Sequence, residues 1–209
     1  TLSWQAEINT TELNPANLWP QWPGRLNATI SSRGQTDKGR LIADTDIKQL
    51  SGQLRGYPVS LNSRFTWHGS DLDIAHLDFS SGNARVSAQG RIGESSKLKW
   101  HISATDIGTL YPQTEGQIEA EGSLTGSKEK PFIRAFIKGS NLRLQDYKIG
   151  AIEGRLAIDL FHWQKTEIEL TTQALLLKGQ ALQTLTINGG AKHLRVDAVA
   201  NQGSIQLEI

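Results

Sequence analysis

Histidine, aspartate and serine are the residue types in this sequence that could do chemistry. The histidines never recur at the spacing of metal ligands, and two of them directly follow a tryptophan in an alternating segment, on the polar side of a strand. They are His68, His76, His101, His162 and His193. This pattern predicts surface histidines and no metal site.

Two pairs of aspartates, Asp44/Asp46 and Asp71/Asp73, are spaced so that each pair points to one side of a strand. Paired carboxylates can transfer protons or hold calcium, but here the alternation favours a solvated face or a turn. The stretch GQTDKGR at 34–40 spaces its glycines like a phosphate loop and lacks the Lys-Ser/Thr that such a loop needs. With no G-x-S-x-G elbow either, the sequence predicts no catalytic residue and no cofactor, and we do not expect an enzyme.

Composition excludes further classes. The 209 residues carry 22 Lys plus Arg against 21 Asp plus Glu, without a cationic cluster, so no nucleic acid is expected as a partner. Cysteine is absent, which rules out disulfides and thiolate chemistry, and no apolar run is long enough for a membrane-spanning helix. Methionine is also absent, so we interpret the chain as a piece of a longer one.

Alternation of apolar and polar residues with period two dominates and predicts roughly fourteen strands. Hairpin turns are predicted at Ser81-Gly82-Asn83, Asn188-Gly189-Gly190 and Asn201-Gln202-Gly203. The predicted fold is all-β: an extended antiparallel meander that forms a curved open groove with a hydrophobic interior and few or no helices. A closed sandwich would bury the same apolar face as core, but its many small residues favour an open sheet.

The apolar positions of the alternating segments are the candidate lining of that groove. They are Leu26, Ala28, Ile30, Val59, Leu61, Phe65, Trp67, Val86, Ala88, Ile92, Leu98, Trp100, Ile102, Ile118, Ala120, Leu124, Ile133, Ala135, Ile137, Leu142, Leu144, Leu156, Ile158, Leu160, Ile168, Leu170, Leu194, Val196, Ala198, Ile205 and Leu207.

A repeat organises the chain. The segment at 17–28 reads NLWPQWPGRLNA and is echoed at 109–120 by TLYPQTEGQIEA, while LSWQAEI at 2–8 is echoed by LKWHISA at 98–104. Asn14 can cap a short helical turn that starts at Pro15. We predict a first β-repeat at 1–97 and a second at 98–209, continuous in one sheet, with a proline-marked corner in each.

The segment LSWQAEINTTELNPANLWPQWPGRLNATISSRG resembles part of the TamB family, the large AsmA-like envelope proteins of Gram-negative bacteria. LSGQLRGYPVSLN and GSLTGSKEKPFIRAFIKGSNLRLQDYKI are similar to further recurring phrases of that family. The resemblance covers essentially the whole chain, and we interpret the chain as a middle β-repeat segment.

The resemblance implies a parent protein anchored in the inner membrane, with a folded sheet, the β-taco, that crosses the periplasm. It implies a role in outer-membrane protein and autotransporter assembly and in phospholipid transport between the two membranes. The implied partners are phospholipid acyl chains and, through regions outside this chain, an outer-membrane barrel of the Omp85 type, TamA. The resemblance brings no catalytic motif, and we expect an isolated fragment to pair edge to edge with itself.

Three functions compete at this stage. The first is a groove that shields and conducts phospholipid, and the second is a chaperone-like scaffold that pairs its strands with unfolded outer-membrane proteins. The third is a carbohydrate-binding sandwich with tryptophans as sugar platforms, which requires several of them on one flat patch. Those tryptophans are Trp19, Trp22, Trp67, Trp100 and Trp163.

Overall fold

The computed structural model describes residues 2–162, 165–177, 179–190 and 193–208. Alternating segments form fourteen strands, as the period-two pattern predicts. The strands are β1 (Leu2–Leu13), β2 (Gly24–Asp37), β3 (Arg40–Leu54), β4 (Tyr57–His68), β5 (Asp71–Ser81), β6 (Ala84–Ile92), β7 (Ser96–Ala104), β8 (Thr114–Ser127), β9 (Lys130–Leu144), β10 (Tyr147–Asp159), β11 (Glu167–Leu177), β12 (Gln180–Gly190), β13 (His193–Ala200) and β14 (Gly203–Glu208).

All fourteen strands form one antiparallel sheet in which spatial order equals chain order, from β1 to β14. The predicted meander is therefore confirmed. Strands pack extensively only against their sequence neighbours, so the sheet is an open single layer and not a closed sandwich. The helical turns in the described residues are three residues long, and none of them could cross a membrane.

Bulges keep the apolar side chains on one face where the sequence breaks strict alternation. In β3, Ile47 and Leu50 are three residues apart, and a register shift between them lets both point the same way. Ile74 and Leu77 in β5 are related by a second shift of the same kind. Each shift places the extra residue out of the ladder, so the apolar face continues without interruption.

The two corners are short 3-10 turns, as predicted for the first of them. Asn14 caps the turn at Pro15–Asn17 by accepting from the backbone N–H of Ala16 at 3.1 Å. Asp106 caps the equivalent turn at Ile107–Thr109 by accepting from Gly108 at 2.9 Å. We call the edge of the sheet that holds both corners and the hairpin turns 55–56 and 82–83 the corner rim.

Arg55, in the hairpin turn between β3 and β4, joins the two corners. Its backbone N–H donates to Pro23 at 2.6 Å in the first corner, and its Nη2 donates to the carbonyl of Gly108 at 3.0 Å in the second. The guanidinium also lies over the rings of Trp22 and Tyr57, with its central carbon 5.3 and 5.9 Å from their centroids. One side chain thus contacts both corners.

One predicted turn is wrong. Asn188-Gly189-Gly190 ends strand β12, whereas Ser81-Gly82-Asn83 and Asn201-Gln202-Gly203 do contain turns. Gly189 has φ +117°, and a Cβ there would overlap the carbonyl oxygen of His193 on β13. The glycine therefore permits close strand contact and does not mark a reversal.

Candidate functional site: the apolar face

The apolar face is built from rows of side chains that run across the strands. The middle row crosses the sheet from β2 to β14 with only apolar residues and one glycine. It comprises Ala28, Leu50, Leu61, Phe79, Val86, Ile102, Ala120, Ile137, Gly154, Leu170, Ile187, Val196 and Leu207.

Two rows flank the middle row. The corner row, nearer the corner rim, is Leu26, Gly52, Val59, Ser81, Ala84, Ala104, Ile118, Gly139, Ile152, Thr172, Leu185, Ala198 and Ile205. The far row, on the other side, is Ile8, Ile30, Ile47, Ser63, Leu77, Ala88, Trp100, Gly122, Ala135, Leu156, Ile168, Gly189 and Leu194. All but a few positions in these rows are apolar or glycine.

The structure brings together nearly all of the residues that the sequence pattern selects. Beyond the far row, Phe65, Leu98, Leu124, Ile133 and Ile158 share a fourth row, and Trp67 and Ile92 share a fifth. Three selected residues lie outside the rows. Leu142 pairs with Ile149 next to a bulge, Leu144 is 47% exposed at a hairpin end, and Leu160 is 53% exposed beyond β10.

Several members of the rows are missing from the sequence-based selection. Leu50, Phe79 and Ile187 belong to the middle row, and Ile47 and Leu77 belong to the far row. Register shifts beside Ile47, Leu50 and Leu77 break the period-two signal that would have identified those three. Phe79 and Ile187 lie in regular stretches of their strands, so continued alternation could have found them.

Exposure on the apolar face changes across the sheet. Near the corner rim Leu26, Val59, Ala84 and Ala104 are 8% exposed or less. The second corner lies against this region, because Ser81 donates its hydroxyl to the Thr109 carbonyl at 2.7 Å. In the middle of the sheet the larger apolar side chains are half-buried with no second layer over them. The apolar face is therefore covered at one rim and accessible elsewhere.

Two of the buried hydroxyls on the apolar face bond to the protein's own backbone. Ser63 donates to the carbonyl of His76 at 3.0 Å, and Thr172 donates to that of Leu185 at 3.4 Å. Both side chains are 3% exposed or less. Because these groups are already satisfied, they offer little hydrogen bonding to a bound molecule. The apolar face is thus suited to hydrocarbon.

The opposite, polar face carries cross-strand ion pairs. Arg91 binds Asp73 through two hydrogen bonds of 2.7 and 2.9 Å, and Arg33 binds Asp44 at 3.2 Å. The hydrogen bond from Arg91 lowers the pKa of Asp73. The hydroxyl of Thr66, together with Arg33, lowers the pKa of Asp44. These carboxylates are therefore solvated ion-pair partners, which agrees with the predicted wet face.

A concavity of about 1120 Å³ lies over the polar face and was not predicted. It is lined by residues of two polar-face rows, with Lys99 and Arg134 in one and Glu121 and Phe136 in the other, and by residues of the far row between them. Apolar-face neighbours such as Ile102 do not line it. Since both cations and carboxylates line it, its charge favours no single class of ligand.

Neither the histidines nor the tryptophans assemble into a site. In the described part of the chain no three metal-ligating side chains come together. Trp67 and Trp100 lie on the apolar face, Trp22 lies under Arg55, and Trp19 is 62% exposed on the first corner. Trp163 lies outside the described residues. These four tryptophans do not form the single flat patch that the carbohydrate hypothesis requires.

Comparison with known proteins identifies the family. A family profile described as "TamB, N-terminal domain" matches residues 1–209. We interpreted the chain as a middle segment, and its place along a parent stays a prediction. The chain is 22% identical over 157 residues to the translocation and assembly module subunit TamB of Haemophilus influenzae. The aligned region covers 74% of this chain and 12% of that protein. No solved structure matches. The profile covers the whole chain, which therefore belongs to the TamB family.

Proposed function

We propose that the apolar face of this chain holds phospholipid acyl chains and forms one section of a groove that conducts phospholipid between the inner and outer membranes. The observation that carries the proposal is the continuity of the apolar rows. The middle row contains no polar side chain from Ala28 on β2 to Leu207 on β14. A hydrocarbon chain could move along it without meeting a buried polar group.

The dimensions and energetics suit this role. Fourteen strands spaced by roughly 4.8 Å make a surface on the order of 65 Å long. Each methylene transferred from water to an apolar surface gains about 0.8 kcal/mol when fully buried, and less when one side stays wet. Passage would then consist of repeated shallow binding, with no chemical step and no catalytic residue.

Family membership supports the biological setting of the proposal. The relative's name describes a subunit of a translocation and assembly module. We place the chain in the periplasm, within a parent anchored in the inner membrane that supports outer-membrane protein and autotransporter assembly. The parent would contact TamA, a barrel of the Omp85 type, through regions outside this chain.

A charge on the apolar face tests the proposal. Leu61 on the middle row and Ile118 on the corner row are both half-buried, and Leu61→Glu or Ile118→Asp would put a carboxylate in the path of the acyl chains. The matched control is Ser60→Glu, which adds the same charge to the exposed polar face one residue away. We expect the parent protein with Leu61→Glu to stay folded and fail to complement a deletion strain, and the Ser60→Glu parent to complement. Full complementation by Leu61→Glu would exclude the proposal.

A second candidate function is a chaperone-like scaffold that adds strands of unfolded outer-membrane proteins to its sheet. The observation that favours it is the geometry of the outer strands. Within the described residues, β1 pairs only with β2 and β14 only with β13, so the outer edge of each could pair with a further strand, whether of a client or of the rest of a parent's sheet.

Photocrosslinking separates the two functions. A photoreactive residue at Ile102, on the middle row, should capture lipid if the apolar face holds acyl chains. One at Glu7 or Gln206, on the outer strands, should capture polypeptide if the scaffold hypothesis is right. Mass spectrometry of the adducts identifies which molecule each position contacts. Captured polypeptide at Ile102 without lipid would favour the scaffold and contradict the groove.

A further inference from the structure

The equivalent tryptophans of the two repeats make the same unusual contact. Trp4 in β1 and Trp100 in β7 begin the two copies of the repeat. The residue directly opposite each on the next strand is a glycine, Gly34 for Trp4 and Gly122 for Trp100. Because both copies contain it, the tryptophan–glycine pair is a regular feature of the repeat.

In both pairs the indole ring lies over the glycine backbone. A Cβ added to Gly122 would be 2.5 Å from Cζ2 and 2.8 Å from Cε2 of Trp100, and one added to Gly34 would overlap Cζ2 of Trp4. Only a residue without a side chain leaves room for the ring there. Aromatic rings that cover a cross-strand glycine are a known stabilising device in sheets. Here the ring also occupies the space that a side chain on the glycine would fill.

The third tryptophan of the apolar face shows what happens without a glycine. Trp67 lies opposite Ala43 and Leu72 and meets the ring of Phe65 edge to face, with centroids 6.5 Å apart at 89°. Both of its cross-strand partners carry a side chain, unlike Gly34 and Gly122. A glycine partner therefore distinguishes the positions of Trp4 and Trp100 from that of Trp67.

Small neighbours leave the Trp100 ring uncovered within its row. Ala88 lies on one side of Trp100, and Gly122 followed by Ala135 lies on the other. From β6 to β9 the far row therefore holds only small side chains besides Trp100, whose half-buried indole is the largest apolar side chain there. A flat aromatic face can contact many methylenes at once.

We propose that Trp100 and Trp4 contact the acyl chains of bound lipid, and that their glycine partners hold the two rings flat on the sheet. This inference rests on the proposed lipid groove and names residues within it that touch the lipid. It assigns Gly122 a positioning role, because that glycine acts through the ring and does not contact the lipid itself.

Fluorescence quenching tests the proposal. Variants that keep one tryptophan and carry phenylalanine at the others are mixed with a phosphatidylethanolamine whose acyl chains are brominated at mid-chain, since bromine quenches indole emission on contact. We expect the variant with only Trp100 to lose more than half of its emission and the variant with only the exposed corner residue Trp19 to lose little. Equal quenching of the two, or none for Trp100, would overturn the inference.

A second measurement covers the case in which the multiply substituted chains do not fold. In the otherwise natural parent protein, a photoreactive residue replaces Trp100 or its polar-face neighbour Lys99, with Ile102 as the reference. Lipid adducts at positions 100 and 102 but not at 99 support the inference. Adducts at 102 without any at 100 contradict it and leave the groove intact. No lipid at either apolar position contradicts the proposed function itself.

Discussion

Replacing Arg55 with alanine should uncouple the two corners and destabilise the sheet at the corner rim. The side chain donates to the Gly108 carbonyl and lies over the rings of Trp22 and Tyr57. A hydrogen bond from a charged donor contributes about 1.5–3 kcal/mol, and each partly exposed cation–π contact contributes about 0.5–1 kcal/mol. The sum is an upper bound on the contribution of this side chain.

A second effect reduces the loss. Nη1 of Arg55 is buried without a hydrogen-bond partner among the described residues, and removing it abolishes a desolvation cost of about 1–3 kcal/mol. We therefore expect Arg55→Ala to lower the free energy of unfolding by about 1–2 kcal/mol. The backbone hydrogen bond to Pro23 survives the substitution, which is why the loss is not larger.

Urea unfolding of the purified chain, followed by circular dichroism, measures the effect. The matched control is Arg25→Ala, which removes an exposed arginine at the same rim and should change stability by less than about 0.5 kcal/mol. In a Trp22→Ala background the effect of Arg55→Ala should shrink, because one of its contacts is already gone. Equal stability of the Arg55→Ala and Arg25→Ala chains would refute the stabilising link that Arg55 makes between the two corners.

Two further predictions concern single contacts. Ser81→Ala should lower the free energy of unfolding by about 1–2 kcal/mol, because it leaves the buried Thr109 carbonyl without its donor. Ser60→Ala on the exposed face should change it little, and urea titration of the two variants compares them. Because the folded pKa of Asp73 is lowered, its contribution to stability is complete above the ordinary carboxyl pKa of 3.8 and is lost as the pH falls through the lower folded value. An acid titration of stability should show this fall below about pH 4, with a smaller fall in Asp73→Asn; an identical acid profile for that variant would contradict the assignment.

The strands and the apolar face could be predicted because burial on one side of a sheet imposes a period of two on the sequence. The pairing register of the strands could not be predicted, because it depends on which residues lie opposite each other on neighbouring strands. The contact of Trp100 with Gly122 and the bulge that aligns Ile47 with Leu50 are both consequences of register. The contact of Arg55 with Gly108, 53 residues along the chain, lies beyond any local pattern.

Turn prediction failed for the same reason at Gly189. A glycine in sequence signals either a reversal or a close approach of two backbones, and only the position of His193 on the next strand distinguishes them. The concavity on the polar face was likewise not foreseeable, since it follows from the shape of the backbone and not from residue type.

The strand order from β1 to β14 has a consequence for how the chain acquires its structure. Every strand pairs with the strand that precedes or follows it in sequence, and even the wide pairing of Leu2 with Thr36 closes within one hairpin. No strand must wait for a distant partner, so contact order is low for a β protein and the loop-closure entropy of each step is small. The sheet can grow by one strand at a time, with each new strand adding to the edge formed by the last.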